Sequence, residues 1–222
     1  MGARFTRDTE GWRVTLGRVR TLRTVGQASE EAERWSAASA GSGEAFAALF
    51  DLHRDRVYRH ALRLLGNVDD AEDVTAGAFL ELWRRRAAVR LVEGSVLPWL
   101  LVTTTNLSRN TARSLRRYRR LLRSLPRSEP AGAAGELAEA HLGASESERQ
   151  VREALRSLSA TDAALVAMTA FEGFSPSEAA SALGISDGAA RTRLHRARAR
   201  IASVLASSTT EFLSAGTEEG AR

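Results

Sequence analysis

The sequence predicts an all-α protein, built as two small helical domains joined by a flexible linker, and three features carry that expectation. Apolar residues recur at helical spacing in two separate stretches, and no strand pattern competes with them. Hydrophobic residues make up 43% of the 222 positions, yet there are only four prolines and two tyrosines, a balance that suits packed helices better than a sandwich or barrel. Between the two stretches, residues 128–148 hold five Glu and no Arg and open on Pro130-Ala-Gly-Ala-Ala-Gly135. Such a composition buries little and reads as a tether.

The elements follow in order. Residues 1–25 carry six Arg against Asp8 and Glu10 with no sustained apolar period, so 1–42 is expected to be a basic, disordered N-terminal arm. In the first body, Phe46, Leu49, Phe50, Val57, Ala61, Leu64 and Leu65 step at helical intervals, and Gly66-Asn67 stops that helix. Asp69, Asp70, Glu72 and Asp73 open the next, where carboxylates favour the positive end of the helix dipole; its apolar face runs through Val74, Ala78, Phe79, Leu82 and Trp83. A third helix starts near Pro98, passes Thr103-Thr-Thr105-Asn106 and continues as an arginine-rich segment until Pro126 ends the body 43–126.

The linker is expected over 127–147 and the second body over 148–206. There, Val151 to Leu158 form a short helix, and Thr161-Asp162 cap a second that runs through Leu165, Val166, Met168 and Phe171 to Gly173. Ser175-Pro176-Ser-Glu178 starts a third with proline in its first turn, and Ser186-Asp187 cap a last helix reaching about Leu205. Residues 207–222 are left as a tail.

Charge narrows the function. All 32 basic residues are arginine, so the pI of 10.9 rests on guanidinium groups that grip phosphates as planar forks. The net charge is only +5, and its placement matters more than its size. Eight Arg and no acid lie between Arg109 and Arg127, and Arg191, Arg193, Arg196, Arg198 and Arg200 form a second acid-free run. The absence of cysteine excludes a disulfide framework and a Cys-rich zinc finger. No apolar run is long enough to span a bilayer and no signal-peptide core is present, so the expectation is a cytoplasmic protein with no membrane insertion. No phosphate loop, nucleophile elbow or acid/base pair is found, so neither catalysis nor a cofactor is expected. The carboxylates around Asp70 read as a solvated helix start rather than a metal site. His53 and His60 lack further ligands nearby and are expected at the surface or partly buried.

The sharpest motif is a helix-turn-helix over Ser177–Arg200. Ala180 lets two helices approach, Gly184 permits the turn, and Leu194 faces the core. The second helix then projects Arg191, Thr192, His195 and Arg196 outward, with Arg193, Arg198 and Arg200 on its flanks. Arginine forks onto guanine, threonine meets a thymine methyl, and further arginines hold phosphates, which is the chemistry of a DNA-reading helix.

Taken with Ala154-Leu155-x-x-Leu158, Phe171-Glu-Gly173, Glu178-Ala-Ala180 and Leu183-Gly184, this segment resembles region 4 of a bacterial extracytoplasmic-function (ECF) sigma factor of the sigma-70 family. The stretches Glu44-Ala-Phe46, Leu49-Phe50, Val57-Tyr58-Arg59, Asp70-Ala-Glu-Asp-Val74 and Phe79-Leu80-x-x-Trp83 resemble its region 2, and Pro98-Trp99-Leu100 through Asn106 and Arg109 resemble the part that opens the −10 element. The resemblance implies a sigma factor that binds core RNA polymerase through the β′ coiled coil and β flap and directs initiation at promoters, with promoter DNA as its other partner, an anti-sigma factor as a further one, and a monomer when free. It implies that Arg191, Thr192, Arg193, His195 and Arg196 read the −35 element. Trp99, Asn106, Arg109, Arg113, Arg116 and Arg117 would serve the −10 element, Asn106 in a pocket for a flipped base, with Trp99 either packing in the core or stacking on a base. Asp70, Glu72, Asp73, Phe79 and Trp83 would bind the polymerase. Where the family has Gln-Glu, Ala76-Gly77 stand here, which motivates an alternative: a sigma-like DNA-binding regulator that has lost polymerase binding.

Overall fold

The computed structural model describes residues 4–8, 11–15, 25–124 and 145–218. Among the described residues, a two-stranded hairpin, β1 (Arg4–Asp8) and β2 (Gly11–Thr15), precedes eight α-helices: α1 (Val25–Ser39), α2 (Gly43–Leu65), α3 (Val68–Arg84), α4 (Leu97–Ser124), α5 (Glu146–Ser157), α6 (Ala160–Val166), which runs on into a π-helical turn (Ala167–Phe171), α7 (Pro176–Leu183) and α8 (Asp187–Glu218). Helices α1–α4 form one compact unit, and α5–α8 form the helical body of a second.

In the first unit, α2 is capped by the Ser42 hydroxyl, which accepts from the Ala45 amide at 3.2 Å, and α3 by the Asn67 side chain, which accepts from the Asp70 amide at 2.8 Å. Its centre is apolar and aromatic: Phe79 meets Phe50 edge-on at 4.7 Å between ring centroids and Phe46 at 6.4 Å, and Trp83 meets Phe46 at 5.0 Å. Toward the other end, Ala61, Leu65, Ala71 and Val74 pack with Leu107 of α4.

Three expectations are corrected here. The segment 1–42 is not structureless among the described residues: α1 packs on α2 and buries Trp35 and Ala38, and Phe5 pairs with Val14 and Arg7 with Trp12 across the hairpin. Phe5, Thr6, Trp12, Val14 and Thr15 are residue types that favour strands, a short signal that the arginine count masks. The last helix continues past Leu205 to Glu218, since Ser and Thr lower helix propensity without breaking a helix. The linker 127–147 lies outside the described residues except at its end, where α5 begins at Glu146.

Gly94 shows why the loop before α4 closes on α1. Its φ is +70°, and a Cβ there would stand 2.8 Å from the Ala28 carbonyl oxygen, so only glycine admits this approach. Gly77 is different. A Cβ on it would lie 3.4 Å from Leu107 Cδ1, an ordinary contact on the side of α3 that faces α4. Gly77→Ala is therefore expected to stabilise the unit by about 0.5–1 kcal/mol through helix propensity, measured as a shift in urea midpoint; a loss of stability would show that α3 and α4 cannot accept the methyl group.

Candidate nucleic-acid interfaces

Helix α4 carries the first site. Its inner face buries Leu97, Leu100, Leu101, Thr104, Thr105 and Ser108. At about 100° per residue, Trp99, Asn106, Arg109, Arg113, Arg116, Arg117 and Arg120 fall within one wedge of roughly 100° on the opposite side. Asn106, Arg113, Arg116, Arg117 and Arg120 are exposed, while Trp99 and Arg109 are half-buried. From Trp99 to Arg120 this stripe runs about 31 Å along the helix, so one rod presents an aromatic ring, then an amide, then a ladder of guanidinium groups.

A buried polar node aims that rod. Glu31 of α1 is 2% exposed, and its Oε1 accepts from His53 Nε2 at 2.9 Å, from Ser95 Oγ at 2.8 Å and from the Val96 amide at 2.9 Å. Ser95 Oγ in turn accepts from the Leu97 amide at 3.1 Å, which caps the first turn of α4. Burial would raise the Glu31 pKa, but the hydrogen bonds and charge of His53 and the donors of Ser95 and Val96 together lower it below 4.5, so the carboxylate is ionised. Lower down, Thr105 Oγ1 gives its proton to the Leu101 carbonyl at 2.8 Å and so must accept from His60 Nε2, also at 2.8 Å. Burial, and then the charge of Arg63, push the His60 pKa down to about 3, and the ring is neutral. Both histidines are 2% exposed, correcting the expectation of surface or partly buried residues. They are links between helices.

Helix α8 carries the second site. The Gly184 turn has φ 64°, and its amide reaches back to Ser181 O at 3.2 Å, closing α7. Ser175 and Glu178 form a capping box at the start of α7, and Ser186 Oγ accepts from the Ala189 amide at 3.2 Å at the start of α8. Ala180, Ala190, Leu194 and Ala197 are buried, which turns Thr192, His195 and Arg196 away from the core; these three, with Arg191 on one flank and Arg193 on the other, are exposed. Arg193 differs from its neighbours, since its Nη1 donates to Asp162 Oδ1 at 3.1 Å. Asp162 was expected to cap α6 with Thr161, but Ser159 is the cap residue, and its hydroxyl accepts from the Asp162 amide at 3.1 Å.

On α3, Glu72 and Asp73 are exposed and Asp70 is half-buried. Phe79 does not belong to that surface: it is 3% exposed inside the aromatic cluster. Trp83 is half-buried, with the Arg86 guanidinium 4.4 Å above its ring. Sequence patterning passed over Leu80, which is 55% exposed on α3, outside the apolar face that runs through Val74, Ala78, Phe79 and Leu82. Among the described residues, no helix is long and apolar enough to cross a membrane.

Comparison with known proteins matches each helical unit to a known family region. The model of sigma-70 region 2 matches residues 49–127, and that of sigma-70 region 4 matches residues 148–201. CarQ, an RNA polymerase sigma factor of Myxococcus xanthus, is 31% identical over 74% of this chain and 91% of its own length. The ECF sigma factor SigL of Mycobacterium tuberculosis is 29% identical over 74% and 90%. The structure of CnrH, solved with the cytosolic domain of CnrY, superposes with a TM-score of 0.54 at 23% identity, covering 80% of this chain and 97% of CnrH, and shows the same fold. Two matched regions in family order, on two helical units that each end in an arginine-bearing helix, place the chain among the ECF sigma factors of the sigma-70 family, which direct RNA polymerase to initiate at promoters.

Proposed function

We propose that α8 reads the −35 element, that the α4 stripe captures and holds the −10 element, and that the acidic start of α3 docks on core polymerase. The observation that carries this is the stripe from Trp99 through Asn106 to Arg120, all on the side of α4 turned away from its core. An amide offers a donor and an acceptor to a flipped base edge, so Asn106 takes the base, Trp99 stacks beside it, and Arg109, Arg113, Arg116 and Arg117 hold the backbone. Strand separation is then driven by binding energy, and the nucleotide chemistry belongs to the polymerase. On α8, Arg191, Thr192, His195 and Arg196 meet base edges, and Arg193 lies on the flank.

Asp70, Glu72, Asp73 and Trp83, joined by the exposed Leu80, form the surface for the β′ coiled coil, and the α5–α8 unit meets the β flap. Ala76 is exposed, but Gly77 faces Leu107, so only one of the two departures from the family pattern alters that surface. The reading places the protein in the cytoplasm as a monomer when free, and admits an anti-sigma factor, as CnrY accompanies CnrH.

Two substitutions separate base reading from backbone holding. Arg196→Ala is expected to lose about 1–3 kcal/mol at one −35 position, while Arg116→Ala weakens all promoters alike and lowers the salt slope by about one. The measurement is competition binding by the reconstituted holoenzyme against single-substituted promoter duplexes. Equal losses from both variants on promoter and random DNA would contradict the assignment.

A further inference from the structure

The run Arg191–Arg200 contains no acid in sequence, but the fold supplies one from 31 residues away. Asp162 Oδ1 accepts from Arg193 Nη1 at 3.1 Å, and its Oδ2 accepts from Ser159 Oγ at 2.6 Å, so both carboxylate oxygens are held and the group is fixed at the start of α6. Asp162 is only 21% exposed while Arg193 is 44% exposed. The pair forms one wall of a cleft that Thr192 and Arg196 also line, next to the side chains turned toward DNA. The hydroxyl of Thr192 is tied back to the Gly188 carbonyl at 3.0 Å, which leaves its methyl group outward.

We infer that Asp162 is a positioning residue for promoter selectivity: it pairs with Arg193 and holds that arginine out of phosphate contact beside the DNA-reading face. Non-specific affinity rises with every phosphate that a free arginine neutralises, whereas base discrimination does not. An arginine neutralised within its own domain subtracts one such contact. Base-edge contacts by Thr192, His195 and Arg196 then make up a larger share of binding. Selectivity is gained by weakening the wrong complexes. The inference rests on the reading of α8 as the DNA-facing helix.

The test titrates the full chain with a random-sequence duplex, and with a −35 duplex selected from a randomised library, over a range of salt. Asp162→Asn keeps an oxygen for the Ser159 hydroxyl and frees Arg193. It is expected to tighten random-duplex binding about 3–10-fold, to steepen the salt slope by about one, and to lower the ratio of selected to random affinity by a similar factor. In an Arg193→Gln background the same substitution should leave the salt slope unchanged, because no arginine is left to release. An unchanged slope in the first background, an equal change in both, or weaker random binding would overturn the inference. Arg196→Ala, run alongside, reports on the reading of α8 itself: undiminished discrimination there sinks that reading, while the Asp162 and Arg193 variants still decide theirs on random DNA.

Discussion

Replacing Glu31 by alanine is expected to cost about 3–5 kcal/mol of the stability of the α1–α4 unit, the largest single-residue effect outside its apolar core. Three donors converge on one carboxylate oxygen: the His53 ring, the Ser95 hydroxyl and the Val96 amide. Alanine would leave all three buried without that acceptor, and each such group bears a desolvation penalty of about 1–3 kcal/mol. The consequence is also positional, because Ser95 and Val96 stand at the start of α4, the helix that presents Trp99 and Asn106. Glu31→Gln retains an oxygen acceptor and should lose less. Urea unfolding followed by tryptophan fluorescence measures both variants. A loss below about 1 kcal/mol for alanine would mean that water replaces the carboxylate and that the node is not what holds α1 to α4.

Acid should weaken the same unit through His60. Its folded pKa of about 3 lies below the ordinary value of 6.5, so between these values the unfolded chain binds a proton that the folded chain refuses. Stability is therefore complete above about pH 6.5 and falls by about 1.4 kcal/mol for each unit below it, approaching 4–5 kcal/mol near pH 3. Glu31 acts in the same direction at the acid end: its lowered pKa stabilises the fold above 4.5, and that contribution is lost as pH drops through the folded value. His60→Gln separates the two, since glutamine can donate to Thr105 Oγ1 without titrating. Between pH 6.5 and 5 the wild type should lose about 2 kcal/mol that the variant keeps. Parallel stability curves for the two proteins would remove His60 as the cause.

Several helix starts and stops were legible because a local rule set them, although the Ser159 cap of α6 was missed. Ser175-Pro-Ser-Glu178 is a capping box at α7, Ser186 caps α8, and Gly66 and Gly184 end α2 and α7 in left-handed conformations. The −10 residues of α4 were named from the resemblance, and helical periodicity puts them within one wedge of the helix. What escaped was long-range polar chemistry. Glu31 looks like one acid among several in a segment weak in apolar residues, and its partners stand 22, 64 and 65 positions away. Asp162 reads as a helix cap until the fold brings Arg193 to it. Phe79 was placed on a binding surface although its three- and four-residue neighbours Leu82 and Thr75 are both buried, a pattern that marks a core position.

If the chain confers promoter selectivity on core RNA polymerase, it must change where the polymerase starts. The most direct measurement is run-off transcription from a genomic or randomised template library, with core enzyme alone and with core enzyme plus the purified full chain. Transcripts are expected that depend on the chain and start at discrete sites sharing two upstream elements, with starts lost for Asn106→Ala and redistributed for Arg196→Ala. A chain that fails to associate with core enzyme, or that leaves the pattern of starts unchanged, would contradict it.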